Sequence, residues 1–337
     1  MSRVFELTRR LIDIESITGN EKQVGDFVHT LLSGIARTHG GAVERMEVEP
    51  GRDNILATFG SPVVTLSTHL DTVPPFFPSS EDDDYIHGRG ACDVKGIIAS
   101  MICAAEDLLA EGTRNFCLLF VVGEERNSAG AYHAARHPRG SRYLINGEPT
   151  GNRLATGSKG ALRYELNASG RMAHSAYPEL GESAILKLLT VLDRVRRMEL
   201  PVDDVLGPST VNIGTLSGGR APNVIPDQAM ASLMFRLVGD PDPLRRAVAE
   251  ICGGLVEANE ILCIPAVRLG VVDGFNTTVV AYTTDIPAFL GAWGEPYLLG
   301  PGTIHVAHTS EERVEKPQLA EAPGLYKTLV KRLLAGC

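Results

Sequence analysis

The chain has 337 residues, with 44% hydrophobic and 22% charged side chains and its 35 Gly and 20 Pro spread throughout, a length that suits two domains at the usual ~150 residues each. This profile excludes disorder, collagen and coiled coil, and no apolar run approaches the ~18 residues of a membrane span. The charge, 32 basic against 41 acidic residues for a net −9, repels polyanions and argues against nucleic acid as a partner.

The start, MSRVFELTRRLIDIES, carries charges where a secretory signal would be apolar, so a cytoplasmic protein is expected. Apolar residues spaced three and four apart then predict helices over 3–15 and 20–38, with Thr18 to Glu21 resembling a capping box between them. Strands are expected at 53–59 and 62–68, a long apolar helix at 95–111, a strand at 116–122, a helix at 128–136 and a strand at 142–146. Such alternation predicts a largely parallel sheet covered on both faces.

From residue 157 the pattern changes to strand 161–169, helix 182–198, strands 209–216 and 228–238, helix 241–258 and strand 261–268. That order is βαββαβ, a two-layer sandwich with its own core. Strands at 278–283 and 296–299 and a helix at 318–335 restore the first pattern. The expected fold is thus an α/β domain built from 1–156 and 269–337, with a smaller α+β domain, 157–268, inserted into it. The six cysteines (Cys92, Cys103, Cys117, Cys252, Cys263 and Cys337) form no CxxC pair. Most sit in apolar stretches, as small hydrophobes of a reducing compartment do.

The chain contains no HExxH, GxSxG, GxxxxGK[ST] or complete GxGxxG. What stands out is a set of acids and histidines where strands end. His69 and Asp71 follow PVVTLST, Asp93 precedes a helix in GRGACDVKG, Glu124 and Glu125 follow FCLLFVVG, and Glu148 follows RYLING. In an open α/β sheet, ligands bind at the carboxyl ends of strands, so these groups can converge. Singly each has an ordinary explanation, since an Asp before a helix is commonly an N-cap and adjacent glutamates are commonly solvated. Together, with His308 from the tail, they supply the O and N donors that a pair of divalent metals needs. Clustered carboxylates would otherwise repel one another and raise their own pKa values.

The motifs STHLDTVP (67–74), GRGACDVKG (88–96), VVGEE (121–125), NGEPT (146–150), GRMAHSAYPELG (170–181), GGRAPNVIPD (218–227) and GPGTIHVAHTSEE (300–312) follow one another in order. In these residues the chain resembles the di-zinc metallopeptidases and deacylases that include acetylornithine deacetylase, succinyl-diaminopimelate desuccinylase, aminoacylase and carboxypeptidase G. The GPG-x-x-x-x-AH tail and the Glu of NGEPT most resemble the acetylornithine and acetyllysine deacetylase branch.

The resemblance implies a three-layer α/β/α catalytic domain with an inserted ferredoxin-like domain that serves as lid and dimer contact. It implies that His69 and Glu148 bind one zinc, Glu125 and His308 the other, and Asp93 both, with cobalt or manganese as alternatives to zinc. Asp71 would steady the His69 imidazole and Glu124 would be the general base. His174, reaching in from a partner subunit, would stabilise the oxyanion. Arg236 and Asn223 would grip the substrate carboxylate. His308, not His305, is the expected ligand because it stands in the AH-x-x-x-E context. Thr284 and Asp285 resemble part of a GTD segment in which Thr283 replaces the glycine, and they carry no assigned role.

The implied activity is hydrolytic removal of an acyl group, acetyl first of all, from a small N-acyl amino acid such as acetylornithine, acetyllysine or acetylcitrulline, as in amino-acid biosynthesis. Desuccinylation of succinyl-diaminopimelate, or di- or carboxypeptidase action, is the alternative. A metal-free binding protein and a nucleophilic mechanism through Cys92 are competing readings of another kind. The implied assembly is a homodimer.

Overall fold

A computed structural model describes residues 2–336, so Cys337 lies outside the described residues. Contacts divide the chain into two units: one runs to Thr156 and includes Leu269–Thr278 and Thr284 onward, and the other comprises Gly157–Arg268 with Val279–Thr283.

The first unit opens with α1 (Arg3–Ile12) and α2 (Lys22–His39), then β1 (Ala42–Glu49), β2 (Arg52–Phe59), β3 (Val64–His69), α3 (Gly96–Ala110), β4 (Phe116–Val121), α4 (Ala129–Ala135) and β5 (Tyr143–Asn146). The second contributes β6 (Gly160–Ser169), α5 (Ala184–Arg197), β7 (Thr210–Gly218), β8 (Gln228–Leu237), α6 (Asp242–Cys252) and β9 (Glu257–Ile264). The chain returns to the first unit for β10 (Glu295–Leu298) and α7 (Lys316–Ala335).

The first unit's sheet has the order β1-β2-β4-β3-β5-β10. Strands β4, β3, β5 and β10 run parallel, while β1 and β2 are antiparallel additions at one edge. Strand alternation sorts the side chains into two layers. Phe116, Leu118 and Phe120 of β4 pack with α1, α2, α3 and α7, whereas Cys117, Leu119 and Val121 pack with α4, Phe289 and Trp293. Sheet faces covered on both sides leave every residue of β3 and β4 buried.

β1 is a strand that periodicity does not reveal: of AVERMEVE only Met46 is buried, so its pattern reads as polar. The helix expected to run to 258 ends at Cys252, because Gly253 (φ 50°) and Gly254 (φ 77°) leave the helical region. The strand that follows therefore starts at Glu257.

The second unit's sheet is antiparallel, in the order β7-β8-β6-β9. Alternate residues of β6 and β8, such as Leu162, Leu166, Leu233 and Phe235, bury against Leu188, Val191 and Val195 of α5 and Leu244 and Val248 of α6. β7 is an edge strand exposed along nearly its whole length.

Candidate metal centre

Parallel pairing brings three strand ends level. His69, the last residue of β3, stands beside Val121 of β4, and Ser67 stands beside Asn146 of β5. The turns that leave β4 and β5 therefore deliver Glu124, Glu125 and Glu148 to the neighbourhood of His69. Asp93 arrives on an irregular turn, Ala91–Lys95, in which it has φ −126° and ψ 80°. Gly90 enters that turn with φ 86°, where a Cβ would stand 2.9 Å from Thr72 Cγ2, so both the conformation and the space call for glycine. His308 is held at φ 63°, in the left-handed region that non-glycine residues seldom occupy and that is found disproportionately at functional sites.

The two oxygens of Asp93 face different histidines. Oδ1 is 3.1 Å from His69 Nε2, and Oδ2 is 3.2 Å from His308 Nε2, which also lies 3.0 Å from Glu125 Oε1. Donor atoms of His69, Asp93 and Glu148 lie within 4.8 Å of one another, as do those of Asp93, Glu125 and His308, and those of His69, Glu124 and Glu125. Two overlapping donor sets thus share Asp93, the arrangement of a bridging carboxylate between two cations. Imidazole nitrogens mixed with carboxylate oxygens suit divalent zinc, cobalt or manganese. Glu148 Oε1 is buried without a hydrogen-bond partner, which leaves a lone pair for an ion.

The electrostatics fit the same occupant. Burial pushes Glu124 and Glu148 well above the carboxylate range against the pull of His69, and neighbouring carboxylates push the same way. Glu125 is also raised, chiefly by burial. Burial opposes ionisation of Asp93 too, yet His308 and His69 together hold it low. Asp93 and Glu125 raise His308 to about 10, while at His69 burial is outweighed by Asp71 and Asp93, so its pKa stays well above the usual value. In the metal-free chain, protons on the imidazoles and carboxyls thus supply the positive charge that this cluster requires.

Asp71 reaches His69 chiefly through its main chain. His69 Nδ1 lies 2.9 Å from the Asp71 main-chain carbonyl and 3.6 Å from the carboxylate Oδ1. The backbone oxygen therefore fixes the tautomer that leaves Nε2 for the cage. The carboxylate instead accepts from the amides of Gly123 (2.9 Å), Glu124 (3.1 Å) and Glu125 (3.2 Å) and from the Thr18 hydroxyl (2.8 Å). It holds the loop that presents the two glutamates.

Comparison with known proteins decides the family. The sequence pattern of peptidase family M20/M25/M40 matches residues 65–332. The chain belongs to this family. A peptidase M20 domain-containing protein of Schizosaccharomyces pombe is 38% identical over 339 residues, covering 97% of this chain and 84% of that one. A protein of Aspergillus niger named probable carboxypeptidase is 38% identical over 369 residues, covering 96% and 88%. Among solved structures, a tripeptidase from Staphylococcus aureus superposes with TM-score 0.79 at 22% identity, covering 98% of each chain. A dinuclear metal-binding M20 peptidase from Bacillus subtilis does so with TM-score 0.71 at 16% identity, covering 99% and 98%. The fold is therefore that of the M20 peptidases, and the activity class is a metallopeptidase-type hydrolase.

The remaining candidates of this M20 chain lie in the second unit. His174 is exposed in a loop bridged to Val224, and its Nδ1 accepts from the Ala176 amide at 3.1 Å. Asn223 is exposed in the facing loop, where its main-chain carbonyl accepts from the Ser175 amide at 3.0 Å. Arg236 is partly buried on β8, its guanidinium makes no ion pair or hydrogen bond to another described residue, and burial lowers its pKa. His305 is exposed and joins none of the donor sets found among the described residues. Cys92 is fully buried, and burial, with Glu312 and Asp93 nearby, drives its thiol pKa well up, which opposes a thiolate nucleophile.

Two buried acids lie within the quoted motifs but received no role from the sequence. Asp285 is 1% exposed, and neither of its oxygens has a hydrogen-bond partner. Burial, aided by the nearby charges of Asp71 and Glu125, raises its pKa to about 7 against the pull of Ser128 and His69. It stands directly before the turn Ile286–Phe289, which Phe289 and Trp293 anchor against α4. Glu312, also 1% exposed, is the other. A carboxylate set among apolar residues, as in TTDIPAF, is the signal that could have found Asp285.

Proposed function

We propose that the protein is a zinc-dependent amide hydrolase that removes an acyl group, acetyl foremost, from a small N-acyl amino acid such as acetylornithine, acetyllysine or acetylcitrulline. The observation that carries this reading is Asp93, with one oxygen toward His69 and the other toward His308. His69 and Glu148 would hold one cation, Glu125 and His308 the other, and Asp93 both. When bound, such cations lower the pKa of water from 15.7 toward about 7 and polarise a carbonyl.

The chain's own groups then perform the proton transfers. Glu124 carries the proton affinity of a buried carboxyl and belongs to a donor set with His69 and Glu125. It accepts the proton of the attacking water and returns it to the departing nitrogen. Asp71 keeps Glu124 in place through the loop amides. Arg236, a partly desolvated guanidinium without an acidic partner, fits the α-carboxylate of the leaving amino acid, with Asn223 beside it in that role. His174 donates to the developing oxyanion.

A carboxypeptidase reading is favoured by the name of the Aspergillus relative, and it needs the same α-carboxylate contact. We also infer a homodimer formed through the second unit, whose edge strand β7 exposes Ile213 and Leu216 while α5 exposes Leu186 and Leu189. No helix among the described residues is long and apolar enough to cross a membrane, and a cytoplasmic location remains part of this proposal.

Zinc-loaded protein assayed on N-acetyl, N-succinyl and dipeptide substrates, each with a free or an amidated α-carboxylate, tests the reading. Turnover is expected with the free acids, and fastest with an N-acetyl amino acid. Faster cleavage of dipeptides would move the assignment to a peptidase, and equal rates with amidated substrates would remove Arg236 from its role.

A further inference from the structure

The turn that carries Asp93 is pinned from the far end of the chain. Glu312 is 1% exposed. Its Oε1 accepts hydrogen bonds from the amides of Gly90 at 3.0 Å and Asp93 at 3.2 Å, and the Cys92 thiol points at the same oxygen from 3.7 Å. Its Oε2 accepts from Arg89 Nη1 at 2.6 Å. Arg89, also 1% exposed, donates its Nε to the Pro75 carbonyl at 3.1 Å and lies 4.9 Å over the Phe77 ring. One buried carboxylate therefore ties together the loop after Asp71, the turn of Asp93 and the segment of His308.

We propose that Glu312 is the positioning residue of the metal centre. It holds the main chain of Asp93 where both side-chain oxygens reach their histidines, and it couples that turn to the segment carrying His308. This rests on the two-cation reading above. A carboxylate that accepts from backbone N–H groups makes charge-assisted bonds, which are shorter and stronger than neutral ones. Here one of those amides belongs to the bridging residue itself. Losing the acceptor frees the turn, and both cations lose affinity because they share Asp93. The cation held with His308 loses more, since its ligands sit on both of the segments that Glu312 joins.

A role confined to fold stability would instead follow the Arg89–Glu312 ion pair, whose breakage leaves a buried charge unpaired. Two variants separate the possibilities. Glu312→Gln removes the charge and keeps an acceptor oxygen, while the double variant Arg89→Met with Glu312→Leu removes both charges together and so avoids a stranded arginine. Each is compared with wild type for zinc affinity by competition with a chromophoric chelator, for melting temperature in EDTA, and for kcat and KM after zinc loading.

Wild type is expected to take up two zinc ions. The folded double variant is expected to lose about 10- to 100-fold in zinc affinity, the usual effect of removing a group that orients a metal ligand, with kcat falling more than KM rises. Glu312→Gln is expected to lose less. Folded variants that bind two ions with wild-type affinity would overturn the proposal and leave Glu312 a purely structural residue. Wild type that takes up no zinc would remove the metal reading itself, an outcome visible before any variant is measured.

Discussion

His69, Asp93 and Glu148 of the first unit are almost closed to solvent, whereas His174 and Asn223 of the second lie exposed on loops and Arg236 is only partly covered. The buried set contains more acid than base and leaves a carboxylate oxygen unpaired, so it is incomplete until positive charge enters it. The second unit offers a guanidinium without an acid, a group that can wait in water for an anionic substrate. Burial thus fits the ion-holding role proposed for His69, Asp93 and Glu148, exposure fits the substrate-binding role proposed for His174 and Asn223, and His308 joins a donor set although its side chain is 51% exposed.

The sharpest way to break this contrast is Glu124→Ala. It is expected to lower kcat by about 10²–10⁴-fold, the range for a general acid–base group, while metal content by elemental analysis stays at the wild-type level. Turnover that persists with metals bound would reassign the base. His174→Ala is expected to cost about 10²–10³-fold in kcat, as for loss of an oxyanion donor, without altering metal content. A fall in bound zinc would place this histidine with the buried set instead. Arg236→Ala is expected to raise KM about 10- to 100-fold with kcat largely kept, from the ~1.5–3 kcal/mol of a hydrogen bond to a charged group. Steady-state kinetics on a free acid and its amide would check this, since wild type on the amide should show the same loss.

The smallest effect expected concerns pH. Glu124, Glu125, Glu148 and Asp285 have pKa values raised in the folded, metal-free chain, chiefly by burial, and His69 and His308 are raised as well. A raised pKa contributes stability at low pH that is lost as pH climbs toward the folded value. Asp71 and Asp93 are lowered despite their burial, so their contribution is fully present above the unfolded value near ~4 and is lost only as acidification goes on through their lower folded values. The melting temperature in chelator is therefore expected to fall by a few degrees from pH ~5 to ~9. Added zinc should flatten that slope, because an ion that binds only the folded state stabilises it by mass action. A metal-free protein whose melting temperature rises over this range would refute the crowded-carboxylate account.

Much of the fold was legible because local physics repeats itself. The wholly buried runs of β3 and β4 and the alternation in β6 and β8 are visible in one dimension, as are their boundaries to within a few residues. β1 was not, since an edge strand with a single buried side chain carries no apolar rhythm. At the site, motif order pointed to His69, Asp93, Glu125, Glu148 and His308, and the structure brings all five into overlapping donor sets. What could not be read was the further task of Asp71, because nothing in the order of residues says that its carboxylate turns to the amides of a loop more than fifty positions away.

By itself the sequence determined which donor atoms exist, which stretches become strand or helix, and which family the chain belongs to, since these follow from residue chemistry and local backbone preference. Tertiary structure alone decided that Asp93 divides its oxygens between two histidines, that a backbone carbonyl orients His69, and that Glu312 reaches across 219 positions to hold the turn of Asp93. Direction and distance between side chains remote along the chain are set by how the sheet and its helices pack, and a linear order of residues does not contain that information.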